Sequence, residues 1–290
     1  MQNIDKIISE HLKSVRLKLE DHFEADVFAY YGEIATNYTT YFRQCLEKMG
    51  ANRQRKNRLV IILNTPGGEV EAVERMVEMQ RHFYDEIFFV IPHLAMSAGT
   101  IYCMSGNKIY MDYSSSLGPI DPQVQSKDGK WVPALGYLDK FEEILEKAKK
   151  NSITNVEYAI AQNQDMAELR RYEQARDLSI TLLKEWLIKY KFKNWVTHES
   201  EGDRHGLVVT EQEKSARANE IATQLSDNKM WHSHGRRIGI NTLRYNLRLK
   251  IDDYSYENDL SEKINDYHDL ISDYMLRQKW GIFINATEAE

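Results

Sequence analysis

The chain has 290 residues, with 44 acidic against 38 basic side chains and two cysteines, Cys45 and Cys103. Mild acidity without a long basic stripe argues against a dedicated nucleic-acid binder, and two cysteines lacking ligand spacing exclude a disulfide framework and a zinc site. No apolar stretch approaches the about 20 residues that span a bilayer, and the polar start lacks a basic-then-apolar leader. A soluble, cytoplasmic protein without a membrane span is therefore expected.

Residues 1–50 read as an N-terminal helical cap. Ile4, Ile7, Ile8, Leu12, Val15 and Leu17 recur at helical spacing, and Tyr30, Tyr31, Tyr38, Tyr41 and Phe42 continue an aromatic face. The basic cluster Arg53-Gln54-Arg55-Lys56 reads as solvated loop. Residues 51–135 alternate: strand 59–63, helix 69–82, strand 87–91, helix 97–104, strand 108–111. That alternation implies an α/β core of parallel βαβ units with right-handed crossovers. Val70, Val73, Met76 and Val77 share one face of the first of these helices, as packing onto a sheet requires. Residues 136–290 read as a large, mainly helical portion. Leu135, Leu138, Phe141, Ile144 and Leu145 open it, and Leu178, Leu182, Trp186, Leu187 and Tyr190 continue it at helical spacing. Residues 151–176 are polar but helical in composition, and 211–225 give another helix. Residues 198–205 and 231–239 read as loops, the second leading into a charged, Tyr-rich tail.

Two turns carry the chemistry. Asn64-Thr65-Pro66-Gly67-Gly68 follows the apolar run Leu59-Val60-Ile61-Ile62-Leu63, and Met96-Ser97-Ala98-Gly99-Thr100 follows Ile87-Phe88-Phe89-Val90-Ile91. In both, the chain passes from strand to helix, so free backbone N–H groups point out of the sheet at one edge. A serine placed there faces the layout of an oxyanion hole. A helix N-cap is the other ordinary role for such a serine. Ser105 and Ser114 to Ser116 stand outside the turns and read as structural.

Together with Leu117-Gly118-Pro119-Ile120-Asp121-Pro122-Gln123, these turns resemble the Clp-protease-like serine peptidases, and among them the serine dehydrogenase proteinase family. The motifs cover residues 59–124, with a further match at Ser233-His234-Gly235-Arg236-Arg237-Ile238. The resemblance implies a Clp-protease/crotonase-like fold, peptide-bond hydrolysis through a Ser97 acyl-enzyme, self-assembly into a homo-oligomer, a protein or peptide substrate, and no cofactor or metal. Carried over residue by residue, it gives Gly68 and Ala98 as oxyanion donors, Gly67, Glu69 and Val70 as the edge that an extended substrate joins by strand addition, and the order Ser97, Asp121, His234 for the triad.

The sequence departs from the Clp protease in having no histidine between His93 and His198. Asp121 stands where that base is expected. Of the later histidines, His198, His205, His232, His234 and His268, the His-Gly pattern favours His234, with His232 as its rival. Both can instead belong to a polar turn at a subunit contact, and the Asp-Pro pair can simply cap a turn. Signal peptide peptidases use a lysine as base, for which Lys140 is the counterpart here, although Asp139, Glu142 and Glu143 around it favour the charged form. Two other function classes fit the same fold: a crotonase-like acyl-CoA enzyme, whose oxyanion hole needs no serine, and a catalytically inactive interaction protein.

Overall fold

A computed structural model describes residues 3–51, 55–125, 131–199 and 203–287. Arg53, Gln54 and the middle of the 198–205 loop lie outside the described residues. The elements in chain order are α1 (Asn3–Phe23), β1 (Asp26–Gly32), α2 (Thr39–Ala51), β2 (Arg58–Asn64), α3 (Val70–Phe83), β3 (Glu86–Ile91), β4 (Leu94–Ala95), α4 (Ala98–Met104), β5 (Lys108–Met111), β6 (Ser116–Leu117), β7 (Gln123–Gln125) and β8 (Trp131–Pro133). There follow α5 (Ala134–Lys149), α6 (Asn155–Gln162), α7 (Met166–Trp186), α8 (Glu211–Ser226), α9 (Asn228–Trp231), β9 (Ile238–Gly239), β10 (Asp252–Asp253), α10 (Asn258–Gln278) and β11 (Ile282–Ala286).

Six strands form the main sheet in the order β10-β5-β3-β2-β1-β11. All pairs are parallel except β1 with β11. Strands β2 and β3 are buried on both faces, which is why their sequences read as unbroken apolar runs rather than alternating ones. Alternate residues feed two cores. Phe28, Tyr30, Leu59, Ile61 and Leu63 face one with Val73, Met76, Ile101, Leu183 and Ile221, from α3, α4, α7 and α8. Val27, Ala29, Tyr31, Val60 and Ile62 face the other with Leu12, Leu19, Ile264 and Tyr267, from α1 and α10. This is a Clp-like α/β fold with a large helical C-terminal portion.

Two expectations are corrected. Residues 26–32 are not helical but form a strand inside the main sheet, with Val27 to Tyr31 buried. Residues 258–278 are not a tail but a helix whose buried Leu260, Ile264, Tyr267 and Ile271 close one face of the sheet. Both segments then end in one piece of sheet, since β11 pairs antiparallel with β1.

Ile264 is wholly buried in that second core. Ile264→Ala is expected to lower the unfolding free energy by about 2–4 kcal/mol, whereas Glu262→Ala on the exposed face of the same helix should stay within about 0.5 kcal/mol of the parent. Denaturant titration of the two variants checks both.

Candidate active site

A second, three-stranded sheet of order β4-β6-β9 gathers the site. Strand β6 runs parallel to β4 and antiparallel to β9, with Ala95 opposite Leu117 and Leu117 opposite Ile238. Ser97 lies two residues beyond β4, Asp121 four beyond β6, and His234 four before β9. All three therefore stand at the same end of this small sheet. Continuing the β6–β9 register by four residues sets 121 opposite 234, and their side chains meet: His234 Nδ1 is 2.9 Å from Asp121 Oδ1.

A parallel bridge between Thr65 and Ala95 ties the first turn to the second. Thr65 N–H donates to Leu94 O at 2.9 Å and Met96 N–H donates to Thr65 O at 3.0 Å. Two residues beyond each partner stand Gly67 and Ser97. A Cβ added to Gly67 would lie 2.8 Å from Ser97 Cβ and from Met96 O, and 3.5 Å from Ala98 N. At Gly68 an added Cβ would fall 1.9 Å from Ile34 O. Both glycines also hold positive φ, +110° and +145°, so no side chain is admitted here on two grounds.

Ser97 occupies the N-cap position of α4, but its side chain makes no capping bond. An N-cap takes an extended backbone. Ser97 instead has φ 51° and ψ −119°, a conformation that costs a non-glycine residue about 1–3 kcal/mol. A strained strand-to-helix turn of this kind lifts a hydroxyl off the end of a sheet. Thr100 helps to hold it: its hydroxyl lies 2.8 Å from Ala95 O and 2.9 Å from Gly118 O, and accepts Gly118 N–H at 2.9 Å. Ser97 is half-buried and Gly68 exposed. Among the described residues, neither Gly68 N–H nor Ala98 N–H donates to another protein atom, and Ser97 Oγ has no hydrogen-bond partner. Catalytic hydrogen bonds are often long in the free enzyme and tighten with substrate.

Asp121 is 1% exposed. Its second oxygen, Oδ2, accepts Gln123 Nε2–H at 3.3 Å, so both carboxylate oxygens are engaged. The backbone around it is pinned as well: Ile120 N–H donates to Leu225 O at 3.0 Å and Ala134 N–H to Pro122 O at 2.9 Å. Beside the His234 loop, Arg237 Nη1 lies 3.2 Å from His93 Nε2. Burial and the Arg237 charge together hold the His93 ring below the usual histidine range.

The remaining candidates fall elsewhere. Lys140 is on the exposed face of α5, 2.9 Å from Glu143 Oε2. That hydrogen bond and the carboxylate charge push its pKa up, so its proton is held rather than released. His232 closes α9 in the left-handed conformation, φ 63°, with an exposed ring. His198 is engaged by Glu213 at 3.3 Å and His268 by Tyr31 Oη at 3.1 Å. Glu69 accepts the Thr36 N–H and hydroxyl, so its carboxylate ties the turn at 36–38 to the start of α3; Val70 is half-buried there. Three residues that support the site were not singled out from the sequence. Ile34 accepts Glu69 N–H and donates to Gly67 O, Thr100 bolts the strand ends, and Gln123 holds Asp121. Thr100 and Gln123, each inside a quoted motif, were within reach.

A family model for the ClpP-like SDH-type serine proteinases matches residues 52–228. The chain belongs to that family. Two uncharacterized proteins of Methanocaldococcus jannaschii are similar to it: one is 39% identical over 64 residues, 22% of either chain, and the other 29% identical over 117 residues, 40% of this chain and 38% of the relative. The chain thus matches less than half the length of these curated relatives. Among solved structures, a mutant of the 1510-N membrane-bound stomatin-specific protease in complex with a substrate peptide gives a TM-score of 0.47 at 14% identity, over 81% of this chain and 77% of that one. The ClpP protease catalytic domain from Plasmodium falciparum gives 0.32 at 16% identity, over 55% and 86%.

The packing at Gly67 yields a stability test. Gly67→Ala places a methyl against Met96 O and Ser97 Cβ at positive φ and should cost about 1–3 kcal/mol. A chemical denaturation midpoint equal to the parent's would contradict this close approach.

Proposed function

We propose that this chain is a serine peptidase in which Ser97 Oγ attacks the carbonyl carbon of a peptide bond. His234 takes the hydroxyl proton at Nε2, the ring nitrogen not facing Asp121, while Asp121 fixes the ring through Nδ1 and stabilises the imidazolium that forms. The oxyanion born on the carbonyl oxygen is met by Gly68 N–H and Ala98 N–H, each worth about 3 to 4 kcal/mol of transition-state stabilisation. Collapse of the tetrahedral adduct breaks the C–N bond, and His234 returns its proton to the departing amine. Water then attacks the acyl-enzyme by the same route, with His234 again as base, and Ser97 is regenerated.

One observation carries this reading: a single small sheet brings a strained serine, a buried aspartate and a histidine bonded to that aspartate to one end, next to a turn that excludes side chains. An acyl-CoA enzyme of the crotonase type has no use for a serine held in that conformation. A binding protein with a degenerate site has no use for a buried carboxylate aligned on a histidine.

Substrate backbone has one way in along the Gly67 to Val70 segment. Gly67 C=O and Glu69 N–H are taken by Ile34, so beside the Gly68 N–H proposed for the oxyanion, the groups left for an extended peptide are Gly68 C=O and Val70 N–H. Self-association of the chain belongs to the same reading, and sedimentation velocity reports on it. Among the described residues no helix is long and apolar enough to cross a membrane.

Ser97→Ala is expected to abolish hydrolysis of an unfolded protein and covalent labelling by a fluorophosphonate probe. Asp121→Asn should retain the fold and lose roughly ten-thousandfold in kcat. His232→Ala and Lys140→Ala should behave as the parent does. Undiminished turnover by the Ser97 variant sinks the proposal, and loss of activity in Lys140→Ala together with retention in His234→Ala reassigns the base.

A further inference from the structure

The turn that carries His234 also carries two arginines. Ser233 O accepts Arg236 N–H at 3.1 Å, so His234 and Gly235 form the corner of a tight turn that Arg236 closes. Arg237, next in the chain, has its Nη1 3.2 Å from His93 Nε2. Arg236 is exposed, and among the described residues its side chain makes no hydrogen bond, ion pair or ring contact.

A guanidinium left alone is out of keeping with the rest of the chain. Acidic side chains outnumber basic ones by 44 to 38, and Arg16, Arg43, Arg58, Arg217, Arg244 and Arg277 each pair with a carboxylate. The acids of the segments flanking Arg236 are already engaged. Asp121 is bonded to His234 and Gln123, Asp139 to Lys229, and Asp227 to the backbone N–H groups of Lys229 and Met230. From Asn228 to Ile240 the sequence holds no acidic residue, against Lys229, Arg236 and Arg237. The counter-charge for Arg236 must come from outside the chain.

Strand register sets where Arg236 stands. Ala95, Leu117 and Ile238 lie opposite one another across the small sheet. Two residues beyond Ala95 is Ser97, two beyond Leu117 is Pro119, and two before Ile238 is Arg236, so the three share one row at the rim. The same continuation, carried two residues further, sets Asp121 opposite His234, where the 2.9 Å contact is found. Adjacent strands are about 4.8 Å apart, so about 10 Å separates the backbones at Ser97 and Arg236. At about 3.4 Å per residue, an extended peptide covers that distance in about three residues.

In the serine-peptidase reading His234 hands its proton to the departing amine, so the residues that follow the cleaved bond lie against the His234 turn. A planar guanidinium matches a carboxylate with two parallel hydrogen bonds. We propose that Arg236 is a specificity-determining residue that binds a carboxylate of the substrate, two or three residues beyond the scissile bond on its amine side. That carboxylate belongs to an Asp or Glu side chain or to the C-terminus of the substrate, and the two sources give different cleavage patterns. This deepens the serine-peptidase reading and rests on it for the side of the bond on which the acid stands.

The test digests an unfolded protein with the full chain and reads the cut sites by mass spectrometry. Asp and Glu are expected two or three residues after the cleaved bond about tenfold more often than Asn and Gln. Cuts at a constant two or three residues from the chain end, whatever stands there, assign the carboxylate to the C-terminus instead. Arg236→Gln should erase the preference, Arg236→Lys should keep part of it, and Arg236→Glu should replace it with one for Lys and Arg. Arg277→Gln on α10 should leave the parent's pattern. Arg236 holds no contact, so its variants should melt where the parent does. Raising the salt to about 1 M, where the screening length is about 3 Å, should flatten the preference as well. A cut pattern shared by parent and Arg236→Gln overturns the proposal, as does a parent pattern with neither feature. Binding supplies a measurement independent of turnover. In the Ser97→Ala chain, a fluorescein-labelled peptide with Glu and a free C-terminus should bind about tenfold more tightly than its amidated Gln counterpart by anisotropy, and Arg236→Gln should remove the difference. A parent chain unlabelled by fluorophosphonate, with Arg236-dependent binding, defeats the catalytic reading alone. A labelled Ser97 with cutting and binding indifferent to Arg236 defeats the specificity site alone.

Discussion

Two backbone hydrogen bonds, Thr65 N–H to Leu94 O and Met96 N–H to Thr65 O, join the ends of β2 and β4 in parallel register, and the site is built outward from that junction. Because the two chains run alongside each other there, what happens two residues later on one happens beside what happens two residues later on the other. The glycine corner and the serine are neighbours for this reason and not because of any contact between their side chains. The same logic extends through β6 to β9, where antiparallel pairing turns a long sequence separation into a 2.9 Å contact between Asp121 and His234.

Such an arrangement places strain at Ser97 and rigidity around it. Ser97 is the residue held at an unfavourable backbone angle, and every residue of α4 behind it is buried. A packed helix on one side and the Thr100 hydroxyl bridging two carbonyls on the other leave that turn no cheaper conformation to relax into. Gly68 N–H and Ala98 N–H, the donors proposed for the oxyanion, are backbone groups of the same rigid pieces, so in that role they would need no reorganisation.

How much of this was legible follows from the physics of each element. Strands β2 and β3 and helix α3 could be read because fully buried parallel strands spell out apolar runs and the crossover helix carries one apolar face. Strand β1 was misread because Tyr30 and Tyr31 look like part of a helical aromatic stripe, yet both pack into sheet cores on opposite faces. Helix α10 was misread as tail on its charge, although Leu260, Ile264, Tyr267 and Ile271 recur at helical spacing. The two-residue strands β4, β6 and β9 have no signature at all, since pairing partners rather than residue types define them. That is also why the glycine turn and the serine could be placed together from local sequence, whereas the partner of Asp121 rested on a resemblance until the register of β6 and β9 was in view.

The order of the elements in the chain carries one more consequence. Residues 282–286 supply the strand that lines up with β1, and His234 is made 113 residues after Asp121. During translation the ribosome therefore releases the serine and its glycine corner well before the imidazole, and the outer strand of the sheet later still. Under the proposed reading, a nascent chain holds Ser97 before it holds the imidazole that would serve it, and the two can meet only once β9 has paired with β6.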